Sequence, residues 1–160
     1  MQTINLRPIA TIHNNRLEIE DDDWAEVIST ILLDESIPTY AFDGVEAYSH
    51  LEIIFYFHKV IPEKAIAQSR HPRNNKVWPK VGTYAQRNKN RPNRLGLTTV
   101  EFVKREDNKL FVKGLDAIDG TPVLDIKPVM VEFLPRTPIK QSFWSRELME
   151  NYWSKNARKT

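Results

Sequence analysis

The sequence contains no cysteine, and glycine is scarce, with five among 160 residues. Without thiols there is no disulfide framework, no thiolate zinc site and no cysteine nucleophile. No Gly-rich strand-to-helix turn occurs, and strands do not alternate with long crossover helices, which argues against a Rossmann nucleotide fold. Long apolar runs are missing too: the longest, Ile53 to Phe57, is far too short to cross a bilayer. Met1 to Ala10 lacks the apolar stretch of a secretory signal. These absences point to a cytoplasmic protein with no membrane partner. What is present is globular in kind: 41% hydrophobic, 28% charged and 10% aromatic, too aromatic for a disordered chain. The length suits a single domain over residues 1–160.

Net charge is only +2, yet the charges are segregated. Residues 17–58 hold eleven Asp and Glu and no Lys or Arg, whereas residues 64–100 hold nine Lys and Arg and no acid. Like charges at that density repel one another unless an anion lies among them. Two explanations compete: a solvated basic loop paired with the acidic segment of the same fold, or a surface for a phosphate-bearing ligand, RNA foremost. The second is favoured. Its candidates are Arg70, Arg73, Lys76, Lys80, Lys89, Arg91 and Arg94. Arginine suits forked contacts to phosphate and stacking on bases.

Leu6 to His13 reads as a first strand, with Pro8 favouring an edge, and Arg16 to Ile19 as a short second one. Asp21, Asp22 and Asp23 precede Trp24, Val27, Ile28, Ile31 and Leu32, the spacing of one apolar helix face with an acidic start. Leu51 to Val60 is β-branched and aromatic, so a central strand is expected there. A long loop runs from Pro62 to about Pro79. Leu97 to Lys104 and Lys109 to Leu115 flank Glu106-Asp107-Asn108 as a hairpin. Further strands are expected at Pro122 to Ile126 and Val129 to Leu134, and a closing helix at Ser142 to Ser154. The fold class that follows is mainly β (α+β): one barrel or strongly curved sheet, with helices near the N-terminal third and at the C-terminus.

Two segments could carry chemistry. Tyr84 to Gly96 (YAQRNKNRPNRLG) sets four cations around Arg91-Pro92-Asn93, a stiff turn in which Asn tolerates the left-handed conformation. Gly114 to Pro128 (GLDAIDGTPVLDIKP) carries Asp116, Asp119 and Asp125. Clustered carboxylates can bind a metal, move a proton or accept hydrogen bonds from a ligand, though this spacing is not that of an EF-hand loop and turn capping accounts for Asp119-Gly120. No metal is expected. His13, His50, His58 and His71 read as structural or hydrogen-bonding residues.

Three segments then resemble one family in its own order. Asp43 to His50 with Phe57-His58, Tyr84 to Leu97, and Gly114 to Pro128 are similar to blocks of the TsaA-like (TrmO) family, the third almost residue for residue. The resemblance implies a β-barrel, S-adenosylmethionine as cofactor, and methyl transfer to the exocyclic nitrogen of a modified adenosine beside the anticodon of transfer RNA. It implies homodimers as well. Carried over by position, cofactor contacts fall on His58, Lys59, Arg87, Leu97, Asp116, Ala117, Ile118 and Asp119. The chain departs from the pattern in three places. Asn14-Asn15-Arg16 stands where the family carries a Pro-Arg-Gln contact, with an extra acidic helix expected after it; Gln86 replaces Thr and Arg94 replaces Pro. The catalytic base is not identified, Asp119 being the nearest candidate. The alternative is a non-catalytic barrel that binds RNA or a small ligand; a third reading is methylation of a smaller acceptor.

Overall fold

The computed structural model describes residues 2–153. Six antiparallel strands close into a barrel: β1 (Ala10–His13), β2 (Ile28–Leu33), β3 (His50–Tyr56), and, after a small two-stranded sheet of β4 (Ser69–Arg70) and β5 (Val81–Gly82), β6 (Leu95–Glu106), β7 (Lys109–Lys113) and β8 (Pro122–Pro128). Their order around the wall is β1-β2-β7-β6-β3-β8, and β8 returns to pair with β1. One short helix follows, α1 (Phe143–Leu148). No helix among the described residues is long and apolar enough to cross a membrane.

The interior is filled by alternate residues of each strand, as the pleat requires. Ile12, Ile31, Leu33, Leu51, Ile53, Phe55, Val100, Leu110, Val112 and Val123 are all buried in one cluster. Phe42 joins from the 3-10 turn Thr39–Phe42. Arg105 ties that turn to the far end of β6 by donating to the Thr39 carbonyl at 3.0 Å and to Asp43 at 3.0 Å.

The hairpin of β6 and β7 and the strands β3 and β8 fall where the sequence puts them, within a few residues. The helix expected around Trp24 to Leu32 is instead β2, and no α-helix occupies the N-terminal third among the described residues. Ser29, Ile31 and Leu33 point inward in strict alternation, with Ser29 fully buried, and that polar inward residue disguises the period of two. The aspartates cap nothing, for Asp23 takes φ 63, outside any helix start. Arg16 to Ile19 forms no strand; the Arg16 guanidinium lies 4.4 Å from the ring centre of Trp24. Val129 to Leu134 gives a 3-10 turn at Val131–Phe133 with exposed side chains, because no strand edge is left for it to pair with. The closing helix ends at Leu148, and Ser154 lies outside the described residues.

Gly96 faces Phe55 across the β3–β6 ladder. A Cβ at this position would come within 2.3 Å of the buried Phe55 ring. Gly96→Ala is expected to cost about 1–3 kcal/mol in urea-induced unfolding through overpacking. Phe55→Leu in the same background should recover part of the loss, and additive losses would count against that contact.

Candidate functional site

In an antiparallel barrel, the ends of β1, β3 and β7 and the starts of β2, β6 and β8 share one rim. The connections 14–27, 57–94 and 114–121 therefore rise from the same mouth, and every candidate cofactor residue sits on or beside them. After β7 the chain turns at Gly114, whose φ of +81 suits glycine. Leu115 and Ala117 then drop into the core, which leaves Asp116, Ile118 and Asp119 half-buried at the rim.

Asp119 is held from three sides. Its backbone N–H donates to the Arg16 carbonyl at 2.8 Å, its Oδ1 accepts from the Asn14 backbone N–H at 3.1 Å, and His13 Nδ1 lies 3.4 Å from the same oxygen. Asn14 acts as a hub: its Nδ2 donates to Ser29 Oγ at 2.9 Å and to the Ala117 carbonyl at 2.8 Å, while its Oδ1 accepts from the Arg16 N–H at 2.9 Å. The sequence marks Asn14 only as part of the segment that replaces a family contact; its role as a hub appears once β1, β2 and the 114–121 turn meet.

His58 lies against the same turn; a Cβ on Gly120 would sit 4.0 Å from its Nε2. Burial pushes the His58 pKa below its ordinary value, the Lys59 charge adds to this, and Asp119 opposes it. Lys59 Nζ donates to the Leu17 carbonyl at 2.8 Å. Arg87 donates to the Leu97 carbonyl, so the second block's two candidates are joined. Asp116 accepts from Thr98 Oγ1 on one oxygen and from Tyr152 Oη on the other. Tyr152 feels the Arg87 charge as well, and burial followed by the neighbouring Asp116 raises its pKa far above that of an ordinary phenol. The sequence does not mark Tyr152 as a site residue, for it lies far from the other candidates, within the span expected as the closing helix.

The basic run divides into three groups. Arg91 and Arg94 turn inward: Arg91 donates to the Gln86 carbonyl at 2.6 Å, and Arg94 donates to the Val60 carbonyl at 2.9 Å while lying 4.6 Å from the Tyr56 ring centre. Arg73 and Lys89 meet the acidic segment, Arg73 through Asp22 at 2.7 Å and Lys89 through Asp21 at 3.8 Å. Arg70, Lys76 and Lys80 form no ion pair among the described residues. The left-handed residue of the Arg91 to Arg94 turn is Arg94, at φ 51, and not Asn93. No group of residues fit to hold a metal occurs among the described residues.

Comparison with known proteins gives a consistent set of likenesses. The family profile described as tRNA-methyltransferase O N-terminal domain matches residues 9–133. A probable S-adenosyl-L-methionine-binding protein of Pyrococcus abyssi is 30% identical over 146 residues, spanning 84% of this chain and 72% of the relative. The tRNA (adenine(37)-N6)-methyltransferase of Homo sapiens is 40% identical over 96 residues, 60% of this chain but 21% of the relative's length. A crystal structure of TrmO from Pseudomonas aeruginosa superposes with a TM-score of 0.72 at 25% identity, covering 90% of this chain and 62% of that one.

The depressed His58 pKa has a consequence for stability. On unfolding, the ring regains its ordinary pKa of about 6.5 and binds a proton that the folded state resists. The His58 contribution is thus fully present above about pH 6.5 and is lost as the pH falls through the folded value. Urea titrations at about pH 7.5 and about pH 5.5 should show the wild type losing more stability on acidification than His58→Asn. Equal losses would refute the assignment.

Proposed function

Because the chain belongs to the tRNA-methyltransferase O N-terminal domain family, we propose that it is an S-adenosylmethionine-dependent methyltransferase whose acceptor is an adenine of transfer RNA. One observation carries the reading: a single barrel mouth gathers two carboxylates and a guanidinium, with an exposed leucine beside it on the outer face of β6. These match a ligand that has a cationic centre, an amino-acid end and an aromatic base. The donor set fits S-adenosylmethionine. Asp116 and Asp119 suit the sulfonium, the ammonium and the ribose hydroxyls. Leu97, 43% exposed, offers an apolar surface to adenine. Arg87, His58 and Lys59 suit the carboxylate end. Ala117 and Ile118 contribute backbone polar groups at the rim.

The cofactor supplies an already activated methyl group. The chain's own work is to hold the acceptor nitrogen in line with it and to exclude water. The rim is fit for orientation, since Asn14 fixes Asp119 and the 3-10 turn at Thr83–Ala85 holds the base of the Arg87 loop. An acylated exocyclic nitrogen of a modified adenosine, the acceptor the resemblance implies, has a relatively acidic proton. Asp119, half-buried beside His13, is the candidate to take it. Arg70, Lys76 and Lys80 offer unpaired charge for phosphates, and Arg73 and Lys89 add to it where RNA displaces the acidic segment. An anticodon-loop base is inexpensive to unstack.

The chain covers about a fifth of the human relative's length, so the acceptor and the partners belong to the proposal. A homodimer is part of it. The segment after β8 exposes Val131 at 77% and Phe133 at 85%, Ile139 and Phe143 further along the chain are exposed as well, and apolar side chains so exposed suit a partner surface. A binding module without transfer activity is the second reading. It is favoured by Asn14, whose side chain holds the 114–121 turn, and by Arg16, whose side chain lies on Trp24 and pairs with Glu20, so that neither is turned to a ligand.

Calorimetric titration with S-adenosylmethionine should give saturable binding that Arg87→Ala weakens, and transfer of labelled methyl to bulk transfer RNA should follow. Binding without transfer would favour the second reading; no binding at millimolar cofactor would overturn both the cofactor and the enzyme. Light scattering should report a dimer that Phe133→Asp converts to monomer at equal concentration. A monomeric wild type would remove the dimer from the proposal.

A further inference from the structure

The last described residues, 142–153, are laid across the rim as a strap. Trp144 of α1 is buried, and Glu147 accepts a hydrogen bond from Trp78 Nε1 at 2.6 Å, which anchors the strap to the basic loop. Beyond α1 the backbone N–H groups of Asp23, Trp24 and Ala25 donate in succession to the carbonyls of Asn151, Tyr152 and Trp153, at 3.3, 3.1 and 2.8 Å. Trp24 itself is buried. The Tyr152 ring meets Trp153 edge to face at 5.2 Å, and its hydroxyl reaches Asp116.

This arrangement acts on one carboxylate. Asp116 lies between two buried residues that anchor its backbone, and each of its oxygens already accepts one hydrogen bond. Each oxygen keeps a second lone pair for a ligand. A carboxylate held in one orientation before binding loses less freedom when it meets a cation or a hydroxyl.

We propose that Tyr152 is a positioning residue of the cofactor cradle: with Thr98 it clamps the Asp116 carboxylate, and the strap that carries it is a wall of the site. The inference rests on the reading of the mouth as a cofactor site. Tyr152 touches no reacting atom; it works through Asp116. Its raised pKa keeps the hydroxyl protonated, hence a donor, across the working pH range.

The test uses the full chain and S-adenosylmethionine itself. Tyr152→Phe removes the hydroxyl and keeps the ring, so the strap stays packed. Cofactor Kd by calorimetry should rise severalfold, up to about tenfold, the scale of immobilising one freed side chain on binding. Affinity for bulk transfer RNA in filter binding should stay unchanged, a readout that a merely structural role would move, while the melting temperature without cofactor drops by only about 2–6 °C, the scale of one lost hydrogen bond. Thr98→Val attacks the other oxygen and should raise Kd in the same way, which keeps the inference testable if Tyr152→Phe fails to fold. An unchanged Kd in both variants overturns the inference and leaves the function standing. A lower Kd overturns it too, because Tyr152 would then be a plug. No binding by the wild type overturns the function and the inference together.

Discussion

Closure of the barrel is the constraint on which everything else depends, and its weakest joint lies beneath the candidate site. The β1–β8 seam has two paired positions, Ala10 with Val123 and Thr11 with Pro122. It is extended by hydrogen bonds outside the ladder: Ile9 N–H to the Val123 carbonyl, Ile12 N–H to the Thr121 carbonyl and Gly120 N–H to the Ile12 carbonyl. Proline at 122 removes a donor from the seam, and the neighbouring turn makes up the loss. The segment 119–123 therefore closes the wall and carries Asp119 at once. A close match to a family block across this stretch is expected on packing grounds alone, before any ligand is considered.

Electrostatics at the rim are weaker than the segregated charges suggest. Arg73 and Lys89 reach Asp21 and Asp22, but these groups are partly exposed, and such pairs contribute of order 0–1 kcal/mol each. The acidic segment is held in place by other means: Trp24 is buried, Arg16 packs on its ring, and three backbone hydrogen bonds join residues 23–25 to the strap. A polyanion can compete for Arg73 and Lys89 without unfolding anything, since the pairs do not hold the segment down. The pairing of the acidic and basic segments is therefore observed in part, through Arg73 and Lys89, and a phosphate-bearing ligand on the remaining cations belongs to the proposal.

The barrel was legible in the sequence because β6 and β7 alternate around Asp107-Asn108, β3 is rich in β-branched and aromatic residues, and a turn signal at Asp119-Gly120 precedes β8. The strand β2 was not, because Ser29 points inward and Trp24 and Val27 add apolar positions that mimic a helix face. Only the fold shows that Asn14 pays for Ser29's burial by bonding its hydroxyl. The rim residues Asp116, Asp119, Arg87 and His58 were legible through a family resemblance. Asn14 and Tyr152 were not, for each acts through contacts between segments more than a hundred residues apart or between a turn and a remote strap.

Arg94 shows how the chain departs from its family pattern without loosening the loop. A proline at this position would fix φ near −65°, and the observed φ of 51 is closed to it. The stiffness a proline would bring is supplied by the arginine side chain, which donates to the Val60 carbonyl and stacks on Tyr56 at the end of β3. The Phe57 N–H donates to the Arg94 carbonyl at 2.8 Å, so backbone and side chain grip the same strand end. That grip draws one cation away from solvent and spends it on the position of the second block. Arg87 is thereby carried on a fixed base beside the start of β6, where it donates to the Leu97 carbonyl.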